Sequence, residues 1–555
     1  MKFDLSKIDE YFGNFPYSSF REGQRECIEF ILKSFESGKR VVIAECPTGS
    51  GKSAIGMTVA QFFDSSFYIT ITKQLQSQMM GDFGAHDVVD LKGRSNYECT
   101  FYKNFGKMAV TGKGMTQHDL DKLLRDPPNC NTGYCRKKDK KFKCPLCFPD
   151  DLPSPLRYSL CPYYERVFQA VNAKMALMNF SSFLYQTGMT TRFGPRELLI
   201  ADEAHNAEPQ LLNFVSLTIN DKLLRKFGFV LEEFDLPEEY ALFFIDFKIL
   251  EIIGQVVKMA SESEDIDTQD EYTQLYRKIK VFMSSMEYQE EWVAEFKKFE
   301  GYNTVQLKPV YVRSKATKLL LDYGEKTLLM SATVLDVDIF CSSLGIPRKD
   351  VAAYRMRNRF PVENRPIYLR SAGRIVGGKD KMHLWSGKLV EQCDKVIDKY
   401  PDCKGIIHTH NFAIADLLMA KSRHKKRFLY QKQYPTKERM LEVHAASTNT
   451  LIVAPAMHEG LDLVGELSRL QIICKVPWPN FYEDKQLARR VELDRRYLTW
   501  LTALKTCQSY GRSVRSETDW AHTYVLDEVF VSFLDDAKTM LPNWFKEAVD
   551  LTPGD

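Results

Sequence analysis

The chain has 555 residues with 44 % hydrophobic and 27 % charged content, enough to bury large cores in roughly three or four units of about 150 residues each. Lysine plus arginine exceed aspartate plus glutamate by only three, which excludes a uniformly basic surface and leaves any nucleic-acid contact to local patches. Thirteen cysteines in a chain that shows no export signal argue against a disulfide framework, because the cytosol keeps thiols reduced.

The start, "MKFDLSKIDEYF", carries charges where a signal peptide needs an apolar run, and the most apolar long stretch, "ALFFIDFKILEIIGQVV", is interrupted by Asp246, Lys248 and Glu251. A cytoplasmic chain without a membrane span is therefore expected. Next, "RVVIAECPTGSGKSAIGMTVAQFF" reads as a short strand, a Gly-rich turn and an amphipathic helix, the pattern of a phosphate-binding loop. In such a loop Gly49, Ser50 and Gly51 let backbone N–H groups face phosphates, Lys52 adds a point charge and Ser53 can ligate magnesium. Cys46 stands where the strict pattern has glycine.

Six cysteines, 99, 130, 135, 144, 147 and 161, fall within one 63-residue window, which points to metal. Cys130, Cys135, Cys144 and Cys147 spell Cys-x4-Cys-x8-Cys-x2-Cys, a spacing compatible with a tetrahedral zinc ribbon. A redox pair in "CPLC" is a further reading, although such pairs normally open a helix after a strand. The six basic residues of "RKKDKKFK" beside them can contact phosphates or form a solvated face.

In "ELLIADEAHNAE" an apolar strand ends in Asp202 and Glu203, placed to serve magnesium and the attacking water of an ATPase. From Asn206 to about Pro309 amphipathic helical stretches such as "EYTQLYRKIKVFMSSM" dominate, with a solvated acidic run at "ESEDIDTQDE". "SSFYITIT", "KTLLMS", "KGIIHTH", "TLIVA" and "LQIICKVP" read as buried parallel strands alternating with helices, a doubly wound α/β plan. "KSRHKKR" at 421–427 is a second basic run. In "QSYGRSVRSETDW", Arg512 and Arg515 sit three apart, one helical turn, so both can face one anionic site.

Taken in order, "FREGQ", "PTGSGKS", "ADEAH", "MSAT", "HEGLDL" and "QSYGRSVR" resemble the motifs of superfamily 2 helicases. "LKGRSNYEC" and "CPYYERVFQAVNAKMALMNFSSFL" narrow the resemblance to the XPD/DinG group of iron-sulfur DNA helicases. It implies two RecA-like P-loop NTPase domains binding ATP and Mg2+ between them, with an iron-sulfur insertion and a helical arch insertion in the first. The expected division is 1–90, 166–205 and 310–350 for the first RecA-like domain, 91–165 for the cluster domain, 206–309 for the arch and 351–555 for the second.

The resemblance further implies adenine recognition by Gln24 and coupling of the nucleotide state to strand grip by His205, Ser331 and Thr333. Gly460 and Asp462, with Gln508, Arg512 and Arg515, would close the cleft from the second domain. It makes Cys99 and Cys161 the outer ligands of a [4Fe-4S] cluster. Two inner ligands come from four candidates: Cys144 with Cys147 first, because a two-residue spacer lets both thiolates reach one small cluster, then Cys135 with Cys144, with Cys130 the remaining alternate. The implied activity is ATP-driven translocation 5′ to 3′ on single-stranded DNA and unwinding of forked DNA, with an RNA:DNA hybrid as an alternative substrate, by a monomer serving DNA replication or repair. Two rivals stay open: a nucleic-acid-stimulated ATPase that does not separate strands, and a zinc-dependent nucleic-acid-binding ATP switch. The sequence departs from the family at Cys46 and at "DWA" (519–521), where Asp, an aromatic residue and Gly are usual, which puts the phosphate loop and the following turn in question.

Overall fold

A computed structural model of the chain describes residues 2–15, 19–84, 87–101, 129–131, 133, 161–190, 192–225, 250–259, 266–285, 291–299, 301–376, 379–455, 463–511, 513–514 and 516–552. The strands, in chain order, are β1 (Val41–Glu45), β2 (Ser66–Thr70), β3 (Val88–Leu91), β4 (Met175–Asn179), β5 (Arg196–Ala201), β6 (Leu217–Asn220), β7 (Trp292–Phe299), β8 (Tyr302–Pro309), β9 (Gly324–Ser331) and β10 (Val351–Arg355). They continue with β11 (Ile367–Leu369), β12 (Gly405–His408), β13 (Phe428–Tyr430), β14 (Leu451–Ala454), β15 (Leu470–Ile473), β16 (His522–Val525) and β17 (Val549–Asp550).

Two seven-stranded parallel sheets form the body, ordered β10-β1-β9-β5-β2-β4-β3 and β13-β14-β12-β15-β16-β11-β17. Every residue of β1, β2, β4, β12, β14 and β15 is buried, as expected for parallel strands covered by helices on both faces. In the first sheet one face carries Ile28, Ile31, Ile55 and Val59 from helices Gln24–Glu36 and Lys52–Ala60. The other face joins a cluster that runs on into Tyr497, Trp500 and Leu504 of helix Arg495–Tyr510, so one apolar core crosses between the halves.

Two boundaries differ from expectation. β10 pairs with β1, Val41 opposite Val351, so the first domain extends at least to residue 355 rather than ending at 350. Helix Ala207–Val215, placed in the arch from the sequence, buries Leu211 and Val215 and packs with helices Phe180–Gly188 and Arg313–Leu319 of the first domain.

The insertion is also not all helical. β6, β8 and β7 form an antiparallel sheet, with Trp292 opposite Pro309 at one end of the hairpin and Phe299 opposite Tyr302 at the turn, where Gly301 takes φ 81°. Its face packs Leu217, Val305 and Leu307 against Ile252, Val256, Tyr272 and Phe282 of the helical stretches 250–259 and Ile266–Ser285. Among the described residues no helix is long and apolar enough to cross a membrane.

Candidate active site between the two sheets

The strand order explains the site. β1, β9 and β5 are neighbours, so the segments leaving their C-terminal ends, 46–51, 332–335 and 202–205, converge at one edge, where open parallel sheets bind ligands. They line a cleft of about 1030 Å³ that also takes in Gln508, Gly511 and Ser513 from the second half.

Gly49 (φ 80°) and Gly51 (φ 78°) both adopt the left-handed backbone that favours glycine, and Lys52 opens the helix that follows. Cys46 is buried and fits the turn: its N–H donates to Ser331 O (2.8 Å) and its sulphur lies 3.9 Å from Cys27 Sγ. Gln24 is 2 % exposed and braces the loop, with Nε2 donating to Ser50 O (2.8 Å) and Oε1 accepting from Arg21 N (2.7 Å). Arg21 donates in turn to Gly49 O.

Asp202 and Glu203 leave the end of β5 at different depths. Asp202 is buried, receives the Tyr68 hydroxyl (3.3 Å) and the Glu203 N–H (2.9 Å), and has its pKa pushed up to about 6, chiefly by burial and then by the Glu203 charge. Glu203 is held at φ 52°, a left-handed conformation unusual for a non-glycine residue and concentrated at functional sites. Its carboxylate lies 3.6 Å from Lys52 Nζ and 3.5 Å from His205 Nδ1.

His205 continues the chain of contacts. Asn206 Nδ2 donates to its Nε2 (2.8 Å), which puts the imidazole proton on Nδ1, 2.8 Å from Ser331 Oγ; Ser331 Oγ also accepts from Thr333 N (3.0 Å). The acidic segment and the segment around the end of β9 are thus joined by hydrogen bonds.

In the second half, helix Arg495–Tyr510 ends at Tyr510 with Gly511 as its cap, and Ser513 and Val514 lie outside any helix. The expectation that Arg512 and Arg515 share one helical turn falls on residues beyond this helix. The positions of Arg512 and Arg515, like those of Gly460 and Asp462, lie outside the described residues. Asp519 forms a buried pair with Arg469, whose Nη1 also donates to Trp520 O (2.7 Å). Ala521 does not take a left-handed backbone and donates its N–H to Asn364 O (2.9 Å), so the turn needs no glycine there. In the basic run 421–427, Arg423 and His424 pair with Asp398, and Arg427 donates to the carbonyls of Asn449, Tyr400 and Cys403; these three are used by the fold.

Of the six cysteines in the 99–161 window, Cys99, Cys130 and Cys161 are described, and all three are buried in the apolar core. Cys130 Sγ donates to Glu98 O (3.3 Å), its N–H donates to Tyr97 O (2.7 Å), and a Cβ on Gly133 would lie 2.9 Å from Cys99 Sγ. Cys135, Cys144 and Cys147 lie outside the described residues, and among the described residues no group of three or more metal-binding side chains is assembled. Sequence reasoning missed Tyr68 and the loop brace from Arg21, whose roles arise from contacts between distant segments.

Two family profiles match: "Type III restriction enzyme, res subunit" over residues 17–229 and "Helicase C-terminal domain" over residues 407–548. A probable ATP-dependent helicase of Methanocaldococcus jannaschii is 29 % identical over 221 residues, which is 38 % of this chain and about a third (32 %) of that protein. A solved XPD helicase superposes with a TM-score of 0.60 at 16 % identity, covering 94 % of this chain and 98 % of the other. Xpd4 of S. tokodaii gives 0.55 at 12 % identity, covering 96 % and 100 %. At these identities the structural likeness is one of fold.

Proposed function

We propose, from the premise that this chain is of the XPD-like superfamily 2 helicase type, that it hydrolyses ATP between its two sheets to move 5′ to 3′ on single-stranded DNA and open forked duplex. The observation that carries the reading is the convergence of the phosphate loop, the Asp202–Glu203 pair and the Ser331–Thr333 segment on one cleft shared with Gln508. Lys52 and Ser53 would hold the phosphates, and Asp202 with Ser53 the magnesium, which when bound neutralises phosphate charge. Lys52 now rests against Glu203. A bound phosphate draws that ammonium away and leaves the Glu203 carboxylate to orient and accept a proton from the attacking water. Gly460, Asp462, Arg512 and Arg515 complete the site from the second half in this reading.

The proposal extends to a [4Fe-4S] cluster held by Cys99, Cys161 and two of Cys130, Cys135, Cys144 and Cys147. What supports it is the chemistry of the donors: Cys99, Cys130 and Cys161 are all buried thiols, the ligand type such a cluster takes, although among the described residues they are not assembled into one ligand group. A bound cluster would act as a rigid crosslink, and Cys161, at the start of helix Pro162–Asn172, would tie it to the first sheet, against whose strand β3 that helix packs.

The test is unwinding of tailed duplexes with ATP. Opening of 5′-tailed DNA, lost in Lys52→Ala while strand binding persists, is the expected result. Strand-stimulated hydrolysis without unwinding would replace the helicase reading by that of a translocase, preference for a 3′ tail would reverse the polarity, and full hydrolysis by Lys52→Ala would overturn the site assignment.

A further inference from the structure

Helix Lys485–Leu493 touches three parts of the molecule. On one side Lys485 N–H donates to Glu295, Arg489 pairs with Glu291, and Gln486 Nε2 donates to Val310 O (2.9 Å), all on the β6–β8–β7 insertion or its edges. On the other side stands Arg490, 1 % exposed. Its guanidinium lies between the rings of Tyr311 (3.9 Å) and Tyr497 (4.3 Å), with Nη2 3.0 Å from Ser343 Oγ and Nε 4.0 Å from Glu208. Glu208 is itself buried, accepts the Tyr497 hydroxyl (2.9 Å), and occupies the first turn of helix Ala207–Val215, three residues beyond His205.

The geometry continues to the cleft. Asp494 ends helix Lys485–Leu493 and caps the next, accepting from Arg496 N (3.1 Å), so the two helices meet at a single-residue elbow. The second helix is fixed to the first domain by Trp500 Nε1 donating to Val334 O (2.9 Å) and by Arg496 pairing with Asp336, and its far end presents Gln508 to the cleft. Glu208 and Arg490 themselves do not line the cleft.

Burying two opposite charges in an apolar cluster is a poor way to gain stability, since hydrophobic side chains of similar volume do as well, and the best-attested use of such a pair is to set register or switch. We infer that the Glu208–Arg490 pair is the joint through which the acidic segment of the ATP site passes its state to helix Lys485–Leu493, and so to Gln508 and to the insertion. Glu208 and Arg490 are positioning residues. The inference rests on the helicase reading of the cleft.

The test compares Glu208→Gln, Arg490→Gln and the double variant Glu208→Gln/Arg490→Met, which leaves no unpaired buried charge. Expected in all three is a fall of about tenfold in strand-stimulated kcat, within the usual range of coupling between sites. The KM for ATP should stay within about twofold and unstimulated hydrolysis should be unchanged, because an interaction felt only in the stimulated step is lost. Fewer base pairs should be opened per ATP. Unchanged stimulation in the three variants overturns the proposal. So does recovery of stimulation in the double variant alongside its melting temperature, which would mean that the singles suffered only from an unpaired charge. A parent protein whose hydrolysis no strand stimulates would remove the helicase reading first, and this inference with it.

Discussion

Replacing Gly51 by alanine probes how the phosphate loop is held. At φ 78° an alanine pays the left-handed penalty of about 1–2 kcal/mol. Its Cβ would also stand 2.3 Å from Gln24 Nε2, well inside contact distance. The end of a glutamine can usually swing away, but this one is buried and tethered by hydrogen bonds to Ser50 O and Arg21 N. Displacing it forfeits one or both bonds, each worth about 0.5–1.5 kcal/mol. The combined cost is about 1.5–5 kcal/mol, divided between global stability and ATP affinity. Denaturant unfolding and titration with a fluorescent ATP analogue measure the two parts. In a Gln24→Ala background the clash is gone, so Gly51→Ala should then cost only the backbone part. Equal cost in both backgrounds would refute the bracing role of Gln24, because close neighbours that interact must be non-additive.

Three further outcomes follow from particular contacts. His444 is buried, with Nε2 2.8 Å from Leu467 O and Nδ1 2.9 Å from Thr450 Oγ1, and burial holds its pKa below the usual histidine value. Its contribution to stability is complete above the unfolded pKa of about 6.5 and is lost as pH falls from there toward the folded pKa, since the unfolded chain takes up the proton first. Urea unfolding across that window should show a steeper loss in the parent than in His444→Gln, and parallel profiles would contradict the assignment. Asp519→Asn removes the charge from the buried pair with Arg469, which keeps Glu466 (2.9 Å) and the Trp520 carbonyl, and should cost about 1.5–3 kcal/mol in the same assay; a cost below about 1 kcal/mol would mean that the pair behaves as an exposed one. Cys161→Ser should lose iron, measured by metal analysis of protein purified without oxygen, and duplex unwinding before it loses ATP hydrolysis. Stoichiometric zinc in the parent protein would instead favour the ribbon of Cys130, Cys135, Cys144 and Cys147.

Much of the architecture is legible in local pattern. The runs "RVVIAE", "ELLIA", "TLIVA" and "LQII" are apolar without alternation and bounded by turn residues, and each became a strand buried on both faces. The hairpin in the insertion is legible too: Val305, Leu307 and Pro309 are buried at alternate positions of β8, the period of a strand rather than a helix. The stop at Gly511 was a further local signal, since a glycine after a helical run commonly ends it.

By itself, the order of residues determined that this chain carries a phosphate loop, a strand ending in two carboxylates and a plan of alternating strands and helices, because each of these depends on spacing of a few residues. Only the tertiary structure decided that β10 belongs to the first sheet, that Gln24 and Arg21 brace the phosphate loop, that Tyr68 meets Asp202, and that Arg490 is buried against Glu208. Those contacts join residues between 26 and 310 positions apart. Their partners are chosen by which surfaces the sheets and the shared core bring together, and no periodicity along the chain encodes that choice.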